Sequence, residues 1–127
     1  REFYVVFNSD HMYKIYHNPR CRKSREALEF LKKNNIDHKI VLYIDTKLKP
    51  EEIKIILGKL KVDPKKLIRT HEKIWKESFK MQDLNNTELI NILSEYPRIM
   101  QRPIVTFQTK GVIANPIENL KTFIELA

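Results

Sequence analysis

Apolar and polar residues alternate at the start of the interpretable part of the chain. Residues 13–17 (YKIYH) follow a period of two and predict a first β-strand, which Asn18-Pro19 interrupts. A helix is then predicted from near Cys21. Its apolar positions Ala27, Leu28 and Leu31 follow Ser24 at helical spacing. This order predicts a strand that leads directly into an amphipathic helix.

A second strand and a long helical block come next. Residues 38–44 (HKIVLYI) are mostly apolar, which predicts a strand buried on both faces and therefore central in a sheet. Prolines, cap residues and apolar spacing predict three helices after it: one from Pro50, a short one from Asp63-Pro64, and one capped by Asn86 or Thr87. The block at about 49–96 is too long for a connector. We expect a helical lobe inserted beside the sheet.

The C-terminal part predicts a hairpin and a last helix. Strands are predicted at 103–107 and 112–114, with a turn at Lys110-Gly111, and a helix begins at Pro116. The order is β-α-β, helical insert, β-β-α, with parallel strands in the first unit and an antiparallel pair in the last. This predicts an α/β, thioredoxin-like fold: a four-stranded mixed sheet flanked by helices, with residues 12–127 as one domain.

The first eleven residues read as foreign to that domain. The pair His11-Met12 resembles what a cloning site leaves before a start methionine, so residues 1–11 are interpreted as an expression-tag remnant. The alternative is a native N-terminal strand, because residues 3–7 (FYVVF) have high β-propensity.

Composition narrows the function classes. The net charge of +8 favours an anionic partner, but no interleaving of aromatic and basic residues supports nucleic-acid binding. Two glycines exclude a glycine-rich phosphate loop, and no apolar run approaches the roughly 20 residues of a membrane helix. No paired metal-ligand pattern occurs, so we expect no metal. One cysteine cannot form an internal disulfide, which is typical of the reducing cytoplasm.

Cys21 is the principal candidate for chemistry. It is placed where the first strand meets the first helix, and helix N-terminal amides favour a thiolate and an anion beside it. Ser24 follows three residues later and could donate a hydrogen bond to the sulfur or cap the turn. Four cations flank the thiol: Arg20, Arg22, Lys23 and Arg25. The alternative is a buried, inert cysteine.

Three other positions are candidates. His17, at the strand end, could support the thiolate or simply satisfy backbone groups. Arg102 precedes Pro103, a position that in this fold commonly carries a cis bond facing the catalytic loop. Arg69 ends a short helix, and its guanidinium fork suits a tetrahedral oxyanion. The alternative for each arginine is a surface ion pair.

Three segments together resemble the glutaredoxin-dependent arsenate reductase family. They are residues 16–25 (YHNPRCRKSR), residues 67–69 (LIR) and residues 101–105 (QRPIV). The resemblance runs in order from Met12 to Ala127. It implies that the cysteine attacks arsenate to form a thiol–arsenate adduct, which glutathione and then glutaredoxin reduce to release arsenite. No bound cofactor is implied, because glutathione is a co-substrate.

The resemblance also implies residue roles. Cys21 would be the nucleophile, Arg69 and Arg102 would bind the oxyanion, and His17 and Ser24 would tune the thiolate. Pro103 would be structural at the site. One position departs from the family: Asn115 stands where a third arginine is expected before the last helix. Loss of one cation could cost several kcal/mol of transition-state stabilisation, roughly the worth of one well-placed donor.

Two alternatives stay open from sequence. An Spx-like regulator shares this fold and binds RNA polymerase, but it typically carries a Cys-x-x-Cys switch, and the second position here is Ser24. A glutathione-dependent thiol reductase with a different substrate would explain Asn115.

Overall fold

The computed structural model describes residues 11–127. The interpretation of residues 1–11 as a tag remnant therefore lies, except for His11, outside the described residues. Nine elements of regular helix or strand are described, in the order β1 Tyr13–Tyr16, α1 Arg22–Lys33, β2 His38–Val41, α2 Pro50–Leu60, α3 Lys73–Ser78, α4 Asn86–Glu95, β3 Ile104–Phe107, β4 Lys110–Ile113 and α5 Ile117–Leu126. Short 3₁₀ turns lie at Pro64–Leu67 and Pro97–Ile99.

The chain divides into two compact units. The first contains residues 11–42 and 102–127, and the second is Tyr43–Gln101. The predicted helical block at about 49–96 falls within the second unit.

The first unit is built on a four-stranded sheet of order β2-β1-β3-β4. β1 pairs parallel with β2 and antiparallel with β3, and β3 pairs antiparallel with β4. This confirms the predicted mixed, thioredoxin-like sheet. Side chains from α1, α5 and the central strands share one core, formed by Ile15, Ala27, Leu31, Val105, Ala114 and Leu120.

The prediction that the second strand is central was wrong. β2 lies at the edge of the sheet, beside β1 alone. Ile40 and Leu42 are 41% and 44% exposed, whereas Tyr43, after the strand ends, is fully buried. The apolar run therefore combines a half-exposed edge strand with the first buried residue of the second unit.

The second unit packs α2 against α4. Ile53, Ile56 and Leu57 of α2 and Leu89 and Leu93 of α4 are buried, as the helical spacing predicts. Segment 67–69 runs antiparallel to segment 99–101: Arg69 N–H donates to the Ile99 carbonyl (2.6 Å), and Gln101 N–H donates to the Leu67 carbonyl (2.8 Å). These bonds hold the backbone that leads into Arg69.

Candidate functional site

Cys21 caps the N-terminus of α1. A tight turn leads to it: the Cys21 N–H donates to the Asn18 carbonyl (2.9 Å), and the Arg20 N–H donates to Asn18 Oδ1 (3.1 Å). The first helical hydrogen bond runs from Arg25 N–H to the Cys21 carbonyl (3.0 Å). Asn-Pro turn chemistry thus delivers the sulfur to the end of the helix where backbone N–H groups have no helical acceptor.

The surroundings of Cys21 favour its thiolate. Partial burial raises the pKa of the thiol. Hydrogen bonds from the Arg102 side chain and from the backbone N–H groups of Ser24 and Lys23 lower it, as does the Arg102 charge, and together they outweigh burial. The net result is a pKa below the ordinary value. Cys21 remains partly exposed, so a reagent can reach the sulfur. A lowered thiol pKa at a partly exposed cysteine is typical of a reactive rather than an inert cysteine.

Ser24 and His17 form a buried pair behind the cysteine. Ser24 is fully buried and His17 is 5% exposed. Ser24 Oγ lies 2.6 Å from His17 Nδ1 and accepts the Asn18 N–H at 3.0 Å. Burial, followed by the charges of Lys32 and Arg25, lowers the pKa of His17 and favours neutral imidazole. The Ser24 hydroxyl thus connects α1 with His17 at the end of β1 and with Asn18 in the turn. Its contribution to the Cys21 thiolate comes through the Ser24 backbone N–H.

Arg102 reaches the site from the start of β3. The Arg102–Pro103 peptide bond is cis, as predicted. Pro103 is buried, and its carbonyl accepts the Ala114 N–H at 2.8 Å, which continues the β3–β4 register by one pair. This anchors the backbone directly after Arg102. Arg102 and Cys21, 81 positions apart in sequence, thus meet through the sheet.

Asn115 lies at the same end of the sheet. Ile104 pairs with Ile113, so Asn115 falls opposite Arg102 when the register is continued. The residue is exposed. Its backbone carbonyl and that of Ile113 accept the side-chain amide of Asn119 at 3.4 Å and 3.2 Å. The position of the expected third arginine therefore lies at the same end of the sheet as Arg102 and carries a neutral amide.

Arg69 lies in the second unit. Its Nη2 is 3.3 Å from Glu72 Oε2 and 3.1 Å from His71 Nε2. Its side chain is 20% exposed. Arg69 is therefore held by partners of its own segment.

The family model described as the ArsC family matches residues 16–123, from the last residue of β1 through the cysteine turn and the helical block to most of α5. The chain belongs to the ArsC family. The predicted resemblance is thereby confirmed, and so is the predicted fold. The site of this ArsC protein lies wholly within the matched residues.

Named relatives agree with this membership. An arsenate reductase of Neisseria meningitidis is 34% identical over 110 residues, covering 85% of this chain and 94% of that protein. The Escherichia coli K12 protein YfgD, described as uncharacterized, is 37% identical and covers 84% and 92% of the two chains. The solved arsenate reductase of Vibrio cholerae superposes with a TM-score of 0.82 at 29% identity, covering 87% of this chain and 97% of that one.

Sequence reasoning about this ArsC protein missed two contributors to the cysteine turn. Asn18 uses its side chain, N–H and carbonyl to shape the turn, and the Asn-Pro pair was the available signal. Arg25 donates from Nη1 to the Pro19 carbonyl at 2.9 Å, a contact that no spacing rule predicts. Two of the flanking cations thus differ: Lys23 is exposed beside Glu26, whereas Arg25 closes the turn.

The described part of this ArsC chain contains neither a metal-ligand cluster nor a membrane-spanning helix. Among residues 11–127, no three His, Cys, Asp or Glu side chains lie together as a metal site would require. No helix within the same range is long and apolar enough to cross a membrane.

Proposed function

We propose that this protein reduces arsenate to arsenite, with Cys21 as the nucleophile and glutathione and glutaredoxin as thiol donors. The single observation that carries the proposal is the partly exposed Cys21 thiol, whose pKa is lowered by Arg102 and by the first amides of α1. The arsenate reductases among its relatives support the choice of oxyanion. The lone cysteine supports an external thiol donor and a reducing, cytoplasmic setting.

The proposed chemistry follows from these contacts. The Cys21 thiolate attacks arsenic(V), forms a sulfur–arsenic bond and displaces one oxygen as water after protonation. Glutathione then adds through its thiol, displacing a second water. Attack by glutaredoxin on the glutathione sulfur leaves two electrons on arsenic, which becomes arsenic(III) and is released as arsenite by hydrolysis. In sum, arsenate and two thiols give arsenite, one disulfide and water.

Each supporting residue has a separate task in the proposal. Arg102 and the amides of Lys23 and Ser24 stabilise negative charge, first on the sulfur and then on oxygens of the bound oxyanion. Ser24 and His17 hold the turn that presents Cys21. Pro103 anchors the strand start from which Arg102 extends. The resemblance assigns oxyanion binding to Arg69 as well, and we retain that assignment in the proposal.

The decisive measurement is arsenite release from arsenate in the presence of glutathione and glutaredoxin. We expect turnover by the wild-type protein and none by Cys21→Ser, while Ser78→Ala, an exposed substitution in α3, keeps wild-type rates. Thermal unfolding of all three variants checks that they are folded. Arsenite release by Cys21→Ser at the wild-type rate would show that another group performs the chemistry.

A second candidate function is a glutathione-dependent thiol reductase with a different substrate. Asn115 favours it, because the position opposite Arg102 lacks a cation. An arginine there would add a charge-assisted hydrogen bond of about 1.5–3 kcal/mol, which corresponds to about ten- to 150-fold in kcat/KM for arsenate. If Asn115→Arg gains that factor over a slow wild type, the natural substrate carries less charge than arsenate. If the wild type is already fast and the variant gains nothing, arsenate itself fits the site.

A further inference from the structure

Two residues close in sequence contact one nitrogen of the Arg69 guanidinium. A guanidinium has five N–H donors and no acceptor, so His71 Nε2 must accept the hydrogen bond from Arg69 Nη2. The same Nη2 faces Glu72 Oε2. Nη2 carries two hydrogens, and two acceptors lie within 3.3 Å of it.

This occupancy has a geometric consequence. A guanidinium binds an oxyanion bidentately along one of two edges, Nε–Nη2 or Nη1–Nη2, and both edges include Nη2. One Nη2 hydrogen is given to His71, and the Glu72 carboxylate faces the same nitrogen as an ion pair, so an oxyanion approaching either edge meets a competing acceptor at Nη2. Bidentate binding of an anion by Arg69 therefore has to compete with the Glu72 carboxylate.

The backbone keeps the two acceptors in place. Glu72 N–H donates to the Arg69 carbonyl at 3.1 Å, closing a turn over 69–72, and Arg69 N–H is bound to the Ile99 carbonyl. The side chains of Arg69 and Glu72 meet across this turn. Their contact can form or break while the backbone pairing of segments 67–69 and 99–101 stays as it is. Glu72 is 31% exposed, so its carboxylate can rotate into water when it is displaced.

We propose that Glu72, together with His71, forms a latch on Arg69, and that an oxyanion gains bidentate contact only by exchanging with the Glu72 carboxylate. The latch rests on the proposed function, in which Arg69 binds the oxyanion. The Glu72 carboxylate is negatively charged, as the oxyanion is, and it competes with the oxyanion for the Arg69 guanidinium. It sets how tightly the protein holds an oxyanion without touching the reacting atoms.

The size of the competition follows from the exposure of the pair. A partly exposed ion pair is worth about 0.2–1 kcal/mol, so removing the competitor tightens oxyanion binding by up to about five-fold. Glu72→Gln and Glu72→Ala should both lower the Kd for arsenate about two- to five-fold. Glu77→Gln is the matched control: Glu77 lies on α3, the short helix that Glu72 precedes, and pairs with exposed Lys73 at 3.8 Å. The substitution removes the same charge.

The experiment is arsenate titration by calorimetry without any thiol donor, combined with NMR of the Arg69 side-chain Nε–H. Tighter binding in both Glu72 variants, with Glu77→Gln unchanged, supports the latch. Unchanged or weaker binding in Glu72→Ala overturns it and makes Glu72 a positioning residue instead. Equal tightening in Glu77→Gln also overturns it, because net charge would then explain the effect.

Arg69→Met separates the latch from the function on which it rests. If this variant binds arsenate as the wild type does, the oxyanion-binding assignment of Arg69 fails and the latch inference falls with it. If Arg69→Met loses affinity but Glu72→Gln gains none, the assignment stands and the latch alone fails. Faster rotation of the Arg69 guanidinium in anion-free Glu72→Gln, seen by NMR, is the result expected of a released latch.

Discussion

Ser24→Ala tests the hydrogen bonds by which the Ser24 hydroxyl connects α1 with the end of β1 and the cysteine turn. The hydroxyl is fully buried and serves two partners, His17 Nδ1 at 2.6 Å and the Asn18 N–H at 3.0 Å. Alanine fits the helix but leaves both groups without this partner. A buried polar group left unsatisfied costs about 1–3 kcal/mol. Since half-buried Asn18 regains some hydration, we expect Ser24→Ala to lose about 2–4 kcal/mol of unfolding free energy.

The assay is urea and thermal unfolding followed by circular dichroism. For a chain of this length, 1 kcal/mol corresponds to about 4 °C, so Tm should fall by about 8–16 °C. Exposed Ser78→Ala is the control and should change stability by less than about 0.5 kcal/mol. The pKa of the Cys21 thiol should stay below its ordinary value in Ser24→Ala, because the backbone N–H of residue 24 and the Arg102 side chain are retained.

Two results would refute this reasoning. A stability loss no larger than that of Ser78→Ala would mean that the two hydrogen bonds contribute nothing. A return of the Cys21 pKa to its ordinary range would mean that the hydroxyl, rather than the backbone amide, supports the thiolate. Absorbance at 240 nm across a pH titration measures that pKa directly.

Three further predictions use other contacts. Arg102→Met removes both a hydrogen bond and a charge, so the pKa of Cys21 should rise and its alkylation by iodoacetamide at pH 7 should slow. Because the pKa of His17 is lowered in the folded protein, the folded protein binds fewer protons at this residue than the unfolded chain does. The unfolding free energy should therefore fall as the pH drops below about 6.5, the ordinary pKa of histidine. This part of the pH dependence should vanish in His17→Gln. Asn85→Ala removes an N-cap that accepts from Glu88 N–H at 2.8 Å, and should cost about 1 kcal/mol in urea unfolding, against no change for exposed Asn91→Ala.

Most elements could be predicted from the sequence because local rules decide them. The spacing of Ala27 and Leu31 and the Asn18-Pro19 break were sufficient for α1. The cap of α4 was placed one or two residues late, although Glu88 three positions after Asn85 forms the capping box seen in the structure. The start of α1 and the cap of α4 can both be predicted from the local sequence alone.

Other features depend on partners distant in sequence. Gly111 was assigned to a turn, but it lies in β4 opposite Thr106, and the turn uses Gln108 with φ of 55°. The edge position of β2 could not be predicted, since buried Tyr43 extends the apolar run beyond the strand. At the site, the sequence suggested Cys21, Ser24 and Arg102, but it could not indicate that the Ser24 hydroxyl bonds to His17.

Because Cys21 is the chain's single cysteine and also the cap of α1, it is a built-in probe of one helix end. A thiol-directed fluorophore or spin label would attach at one defined turn without any engineered substitution. Alkylation also removes the thiolate that the Lys23 and Ser24 amides favour. Comparing amide hydrogen exchange before and after labelling would therefore measure what a sulfur cap contributes to a helix in an otherwise unaltered protein.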